Sequence, residues 1–158
     1  MKLVEVKKIA YYAPAKAYKV ILSEIHGDQE FPLIVGTMEA QSIALAIEGI
    51  NLPRPMTHDL ICNVLNEFNA KIEKVIIKNQ NKGTFFAQII IFNSNKLKVE
   101  LDSRPSDAIS LALRASAEIY ISDDLMKNVK LKGMLIEDQN NNLVKTSTIK
   151  TEKNIIKN

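Results

Sequence analysis

The sequence predicts an α+β domain, a mixed but mainly antiparallel sheet carrying about three helices. Two observations carry that expectation. The runs 4–13 with 17–25, and 70–79 with 84–93, are rich in branched and aromatic residues and lie a turn's length apart, as hairpin strands do. Two alanine-rich helical runs, "IALAIEG" and "ISLALRA", begin 66 residues apart at Ile43 and Ile109, each after a short strand. The second observation suggests a duplicated strand–helix unit.

Taken in order, "VEVKKIAYYA" and "AYKVILSEI" are strands broken at Pro14, and the polar "HGDQ" at 26–29 closes the second. His26 falls in that turn and is expected in solvent. "FPLIVG" (31–36) reads as a short buried strand. Thr37 then caps a helix with Glu39 in its first turn and Gly49 as its stop. Apolar residues surround most of that helix, so it needs cover on two sides, from a sheet and from a further layer or a second subunit. After the loop "NLPRPM", Thr57 caps "HDLICNVLNEF", whose Leu60, Ile61, Val64, Leu65 and Phe68 keep helical spacing. The hairpin 70–79/84–93 turns at "QNKG", and "KLKVELD" (96–102) alternates as a further strand. Proline opens the helix "PSDAISLALRAS". "EIYIS" is a last strand and "DDLMKNV" a short helix. Beyond Gly133 only "MLIE" and "NLVKT" hint at structure, giving one domain over 1–132 and a weakly ordered basic tail over 133–158. In the pairs Tyr11–Tyr12 and Phe85–Phe86, alternation sends one ring to each face of a strand.

Bulk properties narrow the function classes. The 158-residue chain is 46% hydrophobic and 25% charged, as ordinary globular domains are. No apolar run approaches the ~18 residues of a membrane span. Charges thread the N-terminus where a secretion signal would be apolar, and Cys62 is the only cysteine, so no internal disulfide can form; a reducing, cytoplasmic setting is expected. The formal charge is +3, but residues 127–158 hold seven lysines against Glu137, Asp138 and Glu152. The remaining 126 residues are therefore slightly acidic. A broadly basic, DNA-coating surface is excluded for the body of the protein.

"RPMTHDL" (54–60) and "SRPSDAI" (103–109) place an Arg-Pro pair just before a helix and an acid in its first turn. Asp59 and Asp107 suit that position, because the unpaired N–H groups of a helix start attract anions. Arg54 and Arg104 do not, and each calls for an anion nearby. That anion is either a protein carboxylate, in a purely structural ion pair, or a phosphate held by two arginine forks and two helix starts, with Thr57 and Ser106 adding hydroxyls. Glu39, Asp59, Asp102 and Asp107 form a carboxylate set that suits Mg²⁺ or Mn²⁺ rather than zinc. His58 would be a base, a proton donor or a metal ligand, or else a hydrogen-bonded histidine without chemistry. Cys62, four residues on, faces His58 or the core.

In order and spacing, "PLIVGTMEAQSIALAIEG", "RPMTHDL", "GTFFAQIII" and "LDSRPSDAISLALRASAEIYIS" resemble the bifunctional nuclease family, a bacterial domain that also occurs in plants. The resemblance covers roughly residues 3–130. By position, that family's hallmark residues fall on Glu39, Arg54, Pro55, Thr57, His58, Asp59, Asp102, Arg104, Pro105, Ser106 and Asp107. Serine stands at 103 and 110 where the family pattern usually has alanine. Many relatives continue into a short helical hairpin of the nucleotide-excision-repair kind, which residues 133–158 do not suggest. The resemblance implies a nuclease acting on DNA and RNA. In that case Glu39, Asp59, Asp102 and Asp107 hold divalent metal, Arg54 and Arg104 steady charge on the phosphate, and His58 moves a proton. The alternative is a non-catalytic regulatory or scaffold module in which the arginine–carboxylate cluster is a lock. A homodimer is expected in either case.

Overall fold

A computed structural model describes residues 1–80, 84–95, 97–126 and 130–131. The expected tail beyond residue 132 lies outside these, as do "MLIE" and "NLVKT". Eight strands form one sheet: β1 (Lys2–Tyr12), β2 (Ala17–Glu24), β3 (Gln29–Val35), β4 (Ala70–Gln80), β5 (Thr84–Asn93), β6 (Lys98–Ser103), β7 (Glu118–Ile121) and β8 (Lys130–Leu131). Their order is β6-β5-β4-β7-β1-β2-β3-β8, antiparallel throughout except for β4 with β7. The helices are α1 (Thr37–Ile47), α2 (Thr57–Glu67), α3 (Pro105–Ala115) and the single turn α4 (Asp123–Met126).

The repeat seen in the sequence extends to a larger unit. β1-β2-β3-α1 and β4-β5-β6-α3 are each a three-stranded antiparallel meander followed by a helix. Both meanders carry an irregularity at the corresponding place, between Val6 and Lys8 and between Ile72 and Lys74. An extra residue there slips the side-chain alternation by one. This is why Val6 and Ile9, and likewise Ile72 and Val75, all reach the core despite their odd spacing.

The sheet curls strongly. Phe31 of β3 and Phe85 of β5 meet edge to face at 5.4 Å although four strands lie between them in the sheet. Seven of the eleven residues of α3 are buried in the resulting hollow. Val20, Leu22, Leu33, Val75, Ile77, Ile89, Ile119 and Ile121 of the concave face close on Ile43, Ala108, Ile109 and Ala112.

Three details differ from the expectations. The strand 29–35 is half-buried, with Phe31, Leu33 and Val35 inward and Ile34 exposed. The helix caps fall one residue earlier, on Gly36 and Met56, so Thr37 and Thr57 are the first helical residues and neither hydroxyl caps. In α2 the Asp59 carboxylate instead accepts the Met56 N–H at 2.8 Å. Lastly, no residue of α2 is fully buried: Leu65 and Cys62 touch the core, while Leu60, Ile61, Val64 and Phe68 are exposed. Gly49, at φ +62, follows the end of α1 as expected, in a conformation that costs glycine little. Among the described residues no helix is long and apolar enough to cross a membrane.

Candidate functional site

The one-residue links β3-Gly36-α1 and β6-Arg104-α3 bring two helix starts together, and α2 brings a third against them. Glu39, His58 and Asp107 sit in the three first turns. Arg104, in extended conformation at the N-cap of α3, turns its guanidinium across them. Its Nε and Nη2 donate to Asp107 Oδ2 and Oδ1 at 2.7 and 2.9 Å, and Nη1 donates to Glu39 Oε1 at 2.8 Å. Asp107 Oδ1 also lies 3.2 Å from His58 Nε2, and His58 Nδ1 lies 2.9 Å from Ser42 Oγ. The Arg104 side chain is nonetheless 65% exposed, so its forked pair is open to water on one side.

Arg104 heads a groove of about 470 Å³ whose lining includes Leu33, Val35, Gly36, Glu39, Phe85, Pro105 and Ser106. A methyl group on Gly36 would lie 2.5 Å from Glu39 Oε2, so a larger residue there would shift the end of that side chain. The groove thus combines an exposed cation, the first residues of two helices and an apolar wall. Such a combination suits an anion that carries a flat or apolar group, provided a further cation offsets the two carboxylates paired with Arg104.

A second arginine lies deeper. Arg114, only 10% exposed, donates from Nε to Asp59 Oδ1 and from Nη1 to the carbonyls of Ser42 and Ser110, at 3.2 and 3.0 Å. Ser42 therefore joins both clusters, through its hydroxyl to His58 and its carbonyl to Arg114. One polar chain runs Glu39–Arg104–Asp107–His58–Ser42–Arg114–Asp59 across all three helices. The order Ser42–His58–Asp107 has the residue types of a nucleophile triad, but Ser42 is 2% exposed and no substrate reaches its hydroxyl.

The acids respond to these partners. Hydrogen bonds from Arg104 hold the Asp107 carboxyl below its usual range, against the opposing effect of burial and with further help from His58. For Asp59 the largest single influence is burial, which pushes its pKa up; the Arg114 hydrogen bond, the Met56 N–H and the Arg114 charge together outweigh it, and the net shift is downward. Burial raises the Cys62 thiol, and Cys62 packs against the core as a half-buried side chain.

The structure gathers Glu39, His58, Arg104 and Asp107 and seats Ser106 in the groove wall. It separates the others. Asp59 belongs to Arg114. Arg54 is exposed, with no ion pair among the described residues, and Thr57 is exposed beside it. Asp102 pairs with Gln88 across β5–β6, between Leu101 and Ser103, which stand opposite the core residues Ile89 and Ala87. Strand alternation therefore turns Asp102 to the far face of the sheet, away from the helices. Both ring nitrogens of His58 are engaged, so it buttresses Asp107 and offers no free nitrogen to a metal. The four carboxylates expected to share a divalent ion fall in three places. Among the described residues no group of three or more His, Cys, Asp or Glu is arranged to hold one. Ser42 and Arg114 were missed by the sequence reading. The available signal was spacing: Ser42 follows Glu39 by one turn and Arg114 follows Asp107 by two, each on the face already singled out.

Fold and site define a class: an α+β domain with a curled mixed sheet and an arginine–carboxylate groove where helix starts converge. A family model described as the bifunctional nuclease domain matches residues 20–133, and the chain belongs to that family. An uncharacterised protein of Mycobacterium tuberculosis (strain ATCC 25618 / H37Rv) is 32% identical over 149 residues, covering 94% of this chain and 87% of its own length. Bifunctional nuclease 1 of Oryza sativa subsp. japonica is 26% identical over 117 residues, 72% of this chain and 35% of its own. Bifunctional nuclease 1 of Arabidopsis thaliana is 24% identical over 113 residues, 70% and 34% respectively. The chain thus spans about a third of those plant relatives.

Proposed function

We propose that the chain hydrolyses phosphodiester bonds of DNA and RNA in the groove headed by Arg104. The observation that carries this reading is a guanidinium exposed on one side, held by Glu39 and Asp107 where the starts of α1 and α3 meet. Such a group is positioned before substrate arrives and can stabilise the charge that grows on a phosphate during attack. The apolar wall around Phe85 would face the sugar or base. Asp107, steadied by His58, positions Arg104. Glu39 engages Arg104 through Oε1, which leaves Oε2 to take the proton of an attacking water.

Charge argues for a cation in the same reading. Arg104 with ionised Glu39 and Asp107 sums to one negative charge, which repels a phosphodiester unless a counter-charge accompanies it. Mg²⁺ or Mn²⁺ is proposed for that part. Because the carboxylates are turned onto Arg104, no residue set is assigned to the ion. Family membership and the names of the plant relatives support the nuclease reading.

A second reading also has an observation behind it. Every nitrogen of the Arg104 guanidinium already has a carboxylate partner, as in a structural lock within a non-catalytic oligomeric module. One experiment separates the two. Purified protein is assayed on DNA and RNA with Mg²⁺ or Mn²⁺, beside folded Arg104→Ala and Glu39→Gln variants. Loss of cleavage in both variants is expected. Equal cleavage in the variants would mark a contaminant and refute the nuclease reading, and no cleavage by the wild type would leave the lock as its explanation.

A further inference from the structure

We propose that β6 is a self-recognition edge: two copies of the chain pair through it, antiparallel, with the twofold axis passing at Val99. Among the described residues β6 ends the sheet, so one side of its backbone has no strand partner there. Five of its six residues are exposed. Val99 and Leu101 stand opposite Ile91 and Ile89, which belong to the core face, yet they are 40% and 45% exposed; Leu97, just before them, is 60% exposed. The apolar floor of the domain therefore runs out to an edge that nothing within the described chain covers.

The charge order specifies what covers it. Lone edge strands commonly carry charges that repel a second copy. Here the signs change across the middle of the strand, Lys98 before Val99 and Glu100 after it. In an antiparallel self-pair centred on Val99, Lys98 of each copy meets Glu100 of the other, Leu97 meets Leu101, and Val99 meets itself. Lys98 and Glu100 already attract each other along one strand, at 2.6 Å, so they lie on one face with their heads together. Shifting the centre to Glu100 keeps every side chain on its face but sets Glu100 against Glu100 and Leu97 against Ser103; the Lys98–Asp102 pairs it makes only replace the Lys98–Glu100 pairs it loses, so it is disfavoured. The twofold axis stands across the sheet, so both copies present their helices on the same side. The exposed Leu60 and Val64 of α2, with Phe68 just after it, lie on that same side in both copies.

Sedimentation of the full chain at tens of micromolar, with charge-reversal variants, tests this. Wild type should be dimeric. Lys98→Glu and Glu100→Lys each set like charges against each other twice across the axis, and should weaken the dimer by roughly tenfold or more. The double variant Lys98→Glu/Glu100→Lys restores opposite pairs and should recover the dimer. In a Cys62→Ser background, Val99→Cys should cross-link to itself on oxidation and Leu101→Cys should not, because Leu101 faces Leu97. A monomeric wild type overturns the proposal. So does a dimer that both single reversals leave intact, or one that Val64→Asp alone dissolves.

Discussion

Removing Arg114 should damage the protein far more than removing Arg104, although Arg104 makes the more conspicuous ion pairs. Arg114 is 10% exposed and makes a charge-assisted bond to Asp59 and two bonds to helix carbonyls. Arg114→Ala loses the charged bond, worth about 1.5–3 kcal/mol, and the packing of a long aliphatic stem, about another 1 kcal/mol. Asp59 keeps the Met56 N–H and is partly open to water, so the full penalty of a stranded buried charge does not apply. The total is about 3 kcal/mol, or roughly 10 °C in Tm for a domain of this size. Arg104→Ala breaks pairs that water already screens, and should cost less than about 1 kcal/mol. Arg114→Lys keeps the charge without the planar fork and should fall between them. Thermal melts by circular dichroism, checked by urea unfolding, measure all three. Equal losses for Arg104→Ala and Arg114→Ala would refute this division between an exposed functional arginine and a buried structural one.

Ser110 Oγ is fully buried with no hydrogen-bond partner among the described residues, so Ser110→Ala should stabilise the domain by about 1 kcal/mol, read as a rise in the urea midpoint. Because the folded state holds the Asp107 carboxyl low, its contribution is fully present above the ordinary carboxylate value and lost as pH falls through the lowered one. The stability gap between wild type and Asp107→Asn should therefore be flat near neutral pH and close below about pH 4, as pH-dependent melts would show. Asp102→Ala should leave any cleavage rate unchanged while Glu39→Gln abolishes it, since only Glu39 lies on the groove. An equal loss in both would return Asp102 to the site.

Most of the fold was legible because its signals are local. Hairpin spacing, proline at the start of α3 and Gly49 after α1 each act within a few residues. The curl of the sheet was not legible, since it depends on pairings between strands far apart in sequence, such as β1 with β7. The site divided along the same line. Glu39 and Asp107 were found because a helix start favours an acid wherever the helix later packs, and His58 because it stands in the Arg-Pro segment beside Asp59. Asp102 was misplaced because residue type gives no side of the sheet; only its register against β5 turns it away. Arg114 was overlooked because, in sequence, it is one more cation near the end of a helix, a favourable place that asks for no further explanation. Its partners come from α2 and from the carbonyls of two helices.

The place of β7 has a consequence for how the molecule is made. β7 lies between β1 and β4, the two strands that open the meanders, and pairs with both. On a ribosome, both halves can form and still have no strand pairing between them until Ile121 has emerged. For that interval the growing chain exposes two facing unpaired borders in its middle, and release of β7, more than any event near the start, closes the sheet.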